Sequence, residues 1–300
     1  MNNLFLQFVP LLLTSLSAHF SVAQTSSFFS TTHPIEPIEQ HYKRLSSLNP
    51  AAQKNHPLDT IAFQKEKYNS YALMFTIAEP AYLTRSQIHQ MVGALSFPAN
   101  SSEQTRAELD FLLELNEKRK PETIDRVKYL AKIGYWPAKS LLESHPEYAS
   151  NLNQLLFECQ EVVGVDCTIE NYPMTTELLK GITLDMRIME FTAKYHLLRA
   201  RPYQLEERLQ PLQIMGSPSF ASGHTLWAYI HAYTFAELMP ERRADFLELA
   251  YEIGLSREIM GIHYPSDEEA ARQLAHQMLA LMWQTEKFQQ DFSAAQAEWK

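Results

Sequence analysis

The sequence predicts an all-α fold, and three observations support this prediction. The chain has 300 residues but only eight glycines. No alternating apolar and polar run bounded by hairpin turn residues stands out, whereas apolar residues recur at helical spacing over long segments. With 45% hydrophobic and 20% charged residues, the composition is that of an ordinary globular protein. Because no internal repeat and no second domain is visible, we expect a single-domain helical bundle.

The N-terminal segment is apolar and lacks Lys and Arg. A run from Leu4 to Leu16 is followed by small residues that end at Ala23, a pattern typical of a secretory signal cleaved after that residue. An uncleaved anchor is the weaker alternative, because the run is short for a bilayer span of about 20 residues. The predicted organisation is a signal peptide at 1–23, an extended, proline-containing lead-in at 24–58 with at most a short helix near 38–48, and a helical domain at 59–300.

The helical domain divides into nine predicted helices. Their first and last residues are predicted from capping and helix-breaking residues. Pro202 disfavours helix at the preceding residue, and Gly261 ends the helix before it. Ser222 and Gly223 precede an apolar run and mark a helix start. The predicted helices lie at about 59–78, 84–96, 102–118, 121–143, 146–163, 174–200, 223–238, 241–261 and 266–288.

The charge pattern and the cysteines limit the possible functions. The formal net charge is −9 and no long Lys/Arg run occurs, so a nucleic-acid-binding surface is not expected. An anionic substrate would therefore need a local basic pocket. Cys159 and Cys167 are the only two cysteines, and their spacing matches no metal or redox motif. They could pair after export or remain two buried thiols.

The first candidate block is KYHLLRARP. Lys194 and Arg201 lie seven residues apart, close to two helical turns, so both side chains are expected on one side of a helix near its C-terminus. Two cations there could form half of a shell around an oxyanion. The alternative is a solvated basic face that interacts favourably with the helix dipole.

The second block is GSPSFASGHTLWAYIHAY. Ser222 and Gly223 stand at a helix start, where backbone N–H groups lack helical partners and can bind an anion. His224 lies in the first turn, beside any anion bound there. Alternatively, Ser222 only caps the helix and His224 only packs.

The third block is SREIMGIHYPSDEEAAR. Arg257 belongs to a helix that ends near Gly261, and Ser266 with Glu269 matches a capping box at the start of the next helix. Asp267, four residues after His263, could accept a hydrogen bond from one imidazole nitrogen and leave the other lone pair facing the pocket. This arrangement makes a histidine nucleophilic. A purely structural His–Asp contact is the alternative.

Together the blocks read KxxxxxxRP, SGH and SRxxxxxHxxxD, and the sequence resembles the type-2 phosphatidic acid phosphatase and vanadium haloperoxidase superfamily. It resembles bacterial class A non-specific acid phosphatases more closely, through AELMPERRADFLELAYEIGLSREIMGIHYPSDEEAAR and, more loosely, DTIAFQKEKYNSYALM. The resemblance covers residues 190–275 and more loosely extends from residue 59. The sequence departs from the family at Ala221, where the family usually has proline.

The resemblance implies a secreted or periplasmic acid phosphatase with a helical-bundle fold and no metal or other cofactor. It implies that His263, oriented by Asp267, attacks phosphorus and forms a phosphohistidine, and that His224 acts as acid and then as base. It also implies a phosphate site formed by Lys194, Arg201, Ser222, Gly223 and Arg257.

The resemblance also implies the partners. These are a small phosphorylated substrate and, as inhibitors, inorganic phosphate or vanadate. A vanadium-dependent haloperoxidase that uses the same pocket is the alternative function. The mature chain is expected to have no membrane span, and its oligomeric state stays open, a homo-oligomer included.

Overall fold

The computed structural model describes residues 40–67, 70–134, 144–157, 162, 164 and 166–300. Within these ranges every regular element is a helix, which confirms the predicted all-α class. The α-helices are α1 Gln40–Leu45, α2 Ser70–Phe75, α3 Arg85–Ala94, α4 Glu103–Glu117, α5 Pro121–Leu130, α6 Tyr148–Phe157, α7 Pro173–Leu197, α8 Pro202–Leu205, α9 Gly223–Leu238, α10 Arg243–Ile259, α11 Pro265–Met282 and α12 Glu286–Ala297. Short 3-10 helices lie at Pro57–Thr60, Lys65–Lys67 and Pro240–Arg242.

Helix α9 is the centre of the bundle. It packs against α7, α10 and α11, and α12 packs against α7. All residues of α9 except His224 and Glu237 are buried, as expected for a helix that is apolar all round. The N-terminus of this central helix therefore lies inside the protein, where its backbone N–H groups are shielded from water.

The predicted helix at 59–78 is wrong in its first half. Asn100 Nδ2 donates hydrogen bonds to the carbonyl oxygens of Leu58 and Ile61, at 2.9 and 2.8 Å. Asp59 accepts from the Ser101 backbone N–H at 2.9 Å. The carbonyl oxygens that accept these long-range bonds would accept backbone N–H groups in a continuous helix. Only short 3-10 turns therefore form before α2.

Three later helix ends also differ from the prediction. Helix α5, predicted at 121–143, ends at Leu130. Helix α7 ends at Leu197 because Leu198 adopts a left-handed conformation, with φ 54°, so Arg201 lies outside the helix. The predicted helix at 266–288 ends at Met282, and α12 begins after Thr285, whose side chain accepts from Phe288 N. A serine or threonine in this position is a strong helix start.

Several predictions fall outside the described residues. The signal peptide at 1–23 lies there, as does the first part of the lead-in at 24–39, and so does Cys159. Cys167 is buried, and both alternatives for the two cysteines, a disulfide or two thiols, stay open. None of the helices in the described part of the chain is both long and apolar enough to cross a membrane.

Candidate active site

Backbone hydrogen bonds join the three sequence blocks. Ser219 N donates to Arg199 O at 3.0 Å, which ties the second block to the first. Ser222 N donates to Asp267 O at 3.3 Å, which ties the second block to the third. The segment after α7, the loop before α9 and the start of α11 therefore meet at one place, although up to 68 residues separate them.

His263 and Asp267 form the predicted contact. His263 Nδ1 lies 3.1 Å from Asp267 Oδ2, and the His263 side chain is buried. Because Asp267 acts as an acceptor, we assign the imidazole proton to Nδ1, which leaves a lone pair on Nε2. In this structure Arg201 Nη1 donates to that Nε2 at 2.9 Å.

The local cap differs from the prediction. The N-cap of α11 is Tyr264, with Pro265 in the first helical position, and Asp267 Oδ2 accepts from Tyr264 N at 3.0 Å. The two predicted capping residues interact with other side chains instead. Ser266 donates a hydrogen bond to Glu108 at 2.9 Å, and Glu269 forms an ion pair with Arg272. The reason is that Pro265 fixes the helix start one residue before Ser266.

Asp267 is held as a carboxylate. Its Oδ1 accepts from Arg199 Nη1 at 2.7 Å, and its Oδ2 accepts from Ser219 Oγ at 2.5 Å. Burial alone would raise the pKa of Asp267, but Arg199, His263 and Ser219 together hold it far below its usual range. Burial also lowers the pKa of His263 well below its usual value, and Arg201 adds to this effect. His263 is therefore neutral, with one lone pair, over a wide pH range.

The three predicted cations donate hydrogen bonds to uncharged backbone carbonyl oxygens rather than to carboxylate oxygens. Lys194 Nζ donates to the carbonyls of Pro218 and Ser219 at 2.8 and 3.1 Å. Arg201 Nε donates to Ser217 O at 2.9 Å, in the same loop. Arg257 Nη2 donates to Val127 O at 3.2 Å.

No carboxylate of the described residues lies within ion-pair distance of these three side chains, and each is buried. Burial lowers the pKa of Lys194 to about 7 and that of Arg257 to about 10. Buried cations without a counter-ion are costly unless an anion joins them. The arrangement therefore favours an anionic ligand.

The predicted reason for the proximity of Lys194 and Arg201 was wrong. Because α7 ends at Leu197, the two side chains do not share a helical face. They meet because both bind the loop of residues 217–219. Arg201 is the residue before α8, where Pro202 occupies the first helical position.

The start of α9 is closely packed. Ser222 is the N-cap, but its hydroxyl makes no capping bond and donates instead to Thr225 Oγ1 at 3.1 Å. A Cβ on Gly223 would overlap Glu190 Oε1, so glycine is required by the close approach of that carboxylate. His224 is half-buried, and its Nε2 lies 3.1 Å from Ala131 O. Burial lowers the pKa of His224 well below its usual value, and Arg257 lowers it further.

Sequence reasoning missed several residues that support the site. Arg199 is fully buried and stacks over the Tyr264 ring at 3.9 Å while it pairs with Asp267 and, at 3.4 Å, with Glu108. The only sequence signal was its place beside Arg201 in the first block. Among the described residues no group of three His, Cys, Asp or Glu side chains is arranged to hold a metal ion.

Residues 175–291 match the family model described as the PAP2 superfamily. The chain is 28% identical over 144 residues to a protein named non-specific acid phosphatase from Providencia stuartii, which covers 46% of this chain and 58% of that protein. It is 28% identical over 143 residues to the protein of the same name from Salmonella typhimurium, with coverages of 46% and 57%. The chain thus spans less than two thirds of these relatives.

Two solved structures are also similar. One is a transmembrane PAP2 type phosphatidylglycerolphosphate phosphatase from Bacillus subtilis, with 16% identity, a TM-score of 0.45, and coverage of 74% of this chain and 97% of that one. The other is a bacterial vanadium-dependent iodoperoxidase, with 16% identity, a TM-score of 0.45, and coverage of 63% and 50%.

Proposed function

We propose, on the premise that residues 175–291 form a PAP2 superfamily domain, that this chain is an acid phosphatase that hydrolyses phosphate monoesters. The observation that carries the proposal is the contact of His263 Nδ1 with Asp267 Oδ2 at 3.1 Å, beside three buried cations. Curated relatives named non-specific acid phosphatase support the same activity.

The first step is nucleophilic attack. Lys194, Arg201 and Arg257 would bind the phosphate oxygens and neutralise their charge. His263 Nε2 would then form a bond to phosphorus as the bond from phosphorus to the leaving oxygen breaks. Because Arg201 Nη1 covers this nitrogen in the structure, Arg201 must transfer its hydrogen bond to a phosphate oxygen before the attack.

The second step regenerates the enzyme. Protonated His224 would already have given its proton to the leaving alkoxide when the ester bond broke in the first step. In the second step, the neutral imidazole would take a proton from water as that water attacks phosphorus. The bond between phosphorus and His263 breaks, and inorganic phosphate leaves. The positive charge for both steps comes from side chains of this chain.

The test combines turnover of an aryl phosphate with a search for the intermediate. His263→Ala should lower turnover by about a thousandfold or more, whereas inorganic phosphate should still bind through the three cations. Asp267→Asn should cost less, because it disturbs the tautomer and leaves the nucleophile in place. His89→Ala, which changes an exposed histidine on α3, is the matched control.

Rapid quenching with a labelled phosphate ester should trap label on His263. Near-normal turnover of His263→Ala, or label on another residue, would remove His263 as the nucleophile.

Export to the periplasm or medium is a separate proposal. It is supported by the apolar segment that ends at Ala23 and by the bacterial origin of the curated relatives. Expression in a bacterium followed by mass spectrometry of the exported protein tests it. The expected N-terminus is Gln24, and an intact N-terminus on protein retained in the cell would contradict the proposal.

A further inference from the structure

We propose that Glu268 is a positioning residue of the phosphate site, because the proton on its carboxyl group decides whether Ser222 can donate a hydrogen bond to a bound oxyanion. The inference rests on the proposed function, since it concerns the same site. It extends that function by explaining how acid conditions favour binding of the anion.

A short chain of hydrogen bonds links the two residues. Ser222 Oγ lies 3.1 Å from Thr225 Oγ1, and Thr225 Oγ1 is hydrogen-bonded to Glu268 Oε2. All three residues are buried. Because the Ser222 hydroxyl does not cap α9, the direction of its hydrogen is set by Thr225 and not by the helix.

The surroundings of Glu268 favour its neutral form. Its side chain is at most 7% exposed, and its Oε1 is buried without a hydrogen-bond partner among the described residues. An ionised carboxylate in such a place would need more donors. Burial raises the pKa of Glu268 well above its usual value and Glu258 and Asp267 add to this effect, whereas the hydroxyl groups of Thr225 and Ser222 lower it by hydrogen bonding.

The charged groups that face Glu268 belong to several elements. Two carboxylates, Glu258 on α10 and Asp267 on α11, oppose its ionisation. Three cations favour ionisation, namely Lys194 on α7, Arg201 before α8 and Arg257 on α10. An anion bound to these cations would neutralise part of their charge and so weaken their effect on Glu268. Anion binding therefore favours protonation of Glu268, and protonation of Glu268 favours anion binding.

Each hydroxyl in the chain has one hydrogen to donate. When Glu268 is ionised, Thr225 donates to it and Ser222 donates to Thr225, so the Ser222 oxygen faces the anion with lone pairs only. When Glu268 is protonated, its O–H donates to Thr225 Oγ1, Thr225 donates to Ser222 Oγ, and the Ser222 hydrogen becomes available to the anion. The change moves one proton between Glu268 and solvent.

A route for that proton exists. Glu268 lines a cavity of about 40 Å³, together with Tyr42, Tyr229 and Tyr251. This volume is enough for at least one water molecule. Glu268 can therefore exchange its proton with a water molecule in this cavity.

The experiment uses sulfate as the probe, because it stays a dianion across the pH range in which phosphate titrates. Sulfate affinity is measured by calorimetry on the full chain between about pH 5 and about pH 8.5. Sulfate affinity should fall with rising pH in both proteins, but the fall should be about tenfold larger in the wild type than in Glu268→Gln. The reason is that the wild type loses one hydrogen bond from Ser222 to the charged sulfate when Glu268 ionises. Glutamine does not titrate, so in this variant the direction of the chain does not change with pH.

Two further variants separate the relay from general disturbance. Thr225→Val removes the middle of the chain, so sulfate affinity should lose the part of its pH dependence that comes from Glu268, and Glu268→Gln should have no effect in that background. Glu269→Gln is the matched control, because Glu269 lines the same cavity but pairs with Arg272; it should keep the wild-type pH dependence. Circular dichroism confirms that each variant is folded.

Equal pH dependence of sulfate affinity in the wild type and Glu268→Gln would overturn the inference, as would an undiminished Glu268→Gln effect in the Thr225→Val background. Failure of the proposed function looks different. If no phosphate ester is hydrolysed but the sulfate results hold, the relay stands and the phosphatase assignment fails. Absence of any sulfate binding would overturn both.

Discussion

At the scale of single residues, the candidate site combines three buried cations with a buried His–Asp pair. Lys194, Arg201 and Arg257 are each about 1% exposed, and each donates to neutral oxygen atoms. His263 and Asp267 are positioned by contacts that exist before any ligand binds. Such preorganisation lowers the cost of reaching a charged transition state, because the donors need not reorient during the reaction.

His224 can be tested by its dependence on the leaving group. If its Nε2–H donates to Ala131 O, Nδ1 is left to carry the proton for the leaving oxygen. His224→Ala should then reduce kcat far more for an alkyl phosphate than for nitrophenyl phosphate, because nitrophenolate departs without a proton. Since burial lowers the pKa of His224, kcat/KM of the wild type should rise as pH falls below neutrality. Equal losses on both substrates would make its role structural.

The sequence singled out the residues that we propose act on phosphate, but not the residues that support them. The motifs contained Lys194, His263 and Asp267 because their chemistry fixes both residue type and spacing. Arg199 and Glu268 act through partners far away in sequence, up to 91 residues for the pair of Arg199 and Glu108. No local pattern reports such a partner.

At the scale of helices, starts with a local signal were predicted closely and ends set by tertiary contacts were not. Helix α9 begins at Gly223 and ends at Leu238, as the sequence predicted. The end of α7 was missed because Leu198 takes a left-handed conformation without being glycine. The break near residue 60 was missed because Asn100, which competes for its carbonyls, lies some 40 residues away.

Gly223→Ala tests the tight packing at the start of α9. The new methyl group would overlap Glu190, which is buried and held by Arg187 at 2.7 Å. We expect a loss of about 1–3 kcal/mol in the free energy of unfolding, together with weaker sulfate binding. Gly216→Ala is the control, because a Cβ at Gly216 meets nothing within 4 Å. Chemical denaturation of both variants decides the question, and similar losses would show that crowding by Glu190 is unimportant.

At the scale of the whole molecule, the buried interior makes stability depend on pH. His231 in α9 is fully buried, with Nε2 3.1 Å from Thr183 Oγ1. Burial lowers the pKa of His231 to about 3. The unfolded chain binds this proton near the ordinary histidine pKa of about 6.5, so the folded state loses stability as pH falls below that value.

His231→Gln should therefore be less sensitive to acid than the wild type. Between about pH 6.5 and about pH 5, His231 should account for up to about 2 kcal/mol of the loss in unfolding free energy. Urea denaturation of both proteins at the two pH values measures this difference. An identical loss in both would mean that His231 keeps its usual pKa in the folded protein.

The buried Arg199 has a consequence for where this protein could be divided. It contacts Asp267 within the residues matched by the family model and Glu108 in α4, well before that match begins. A fragment limited to residues 175–291 would keep every predicted site residue but would leave Arg199 with one of its two carboxylates. The residues matched by the family model are therefore fewer than the residues needed to keep the charges of the site balanced. The segment that contains Glu108 has to be kept together with the matched residues.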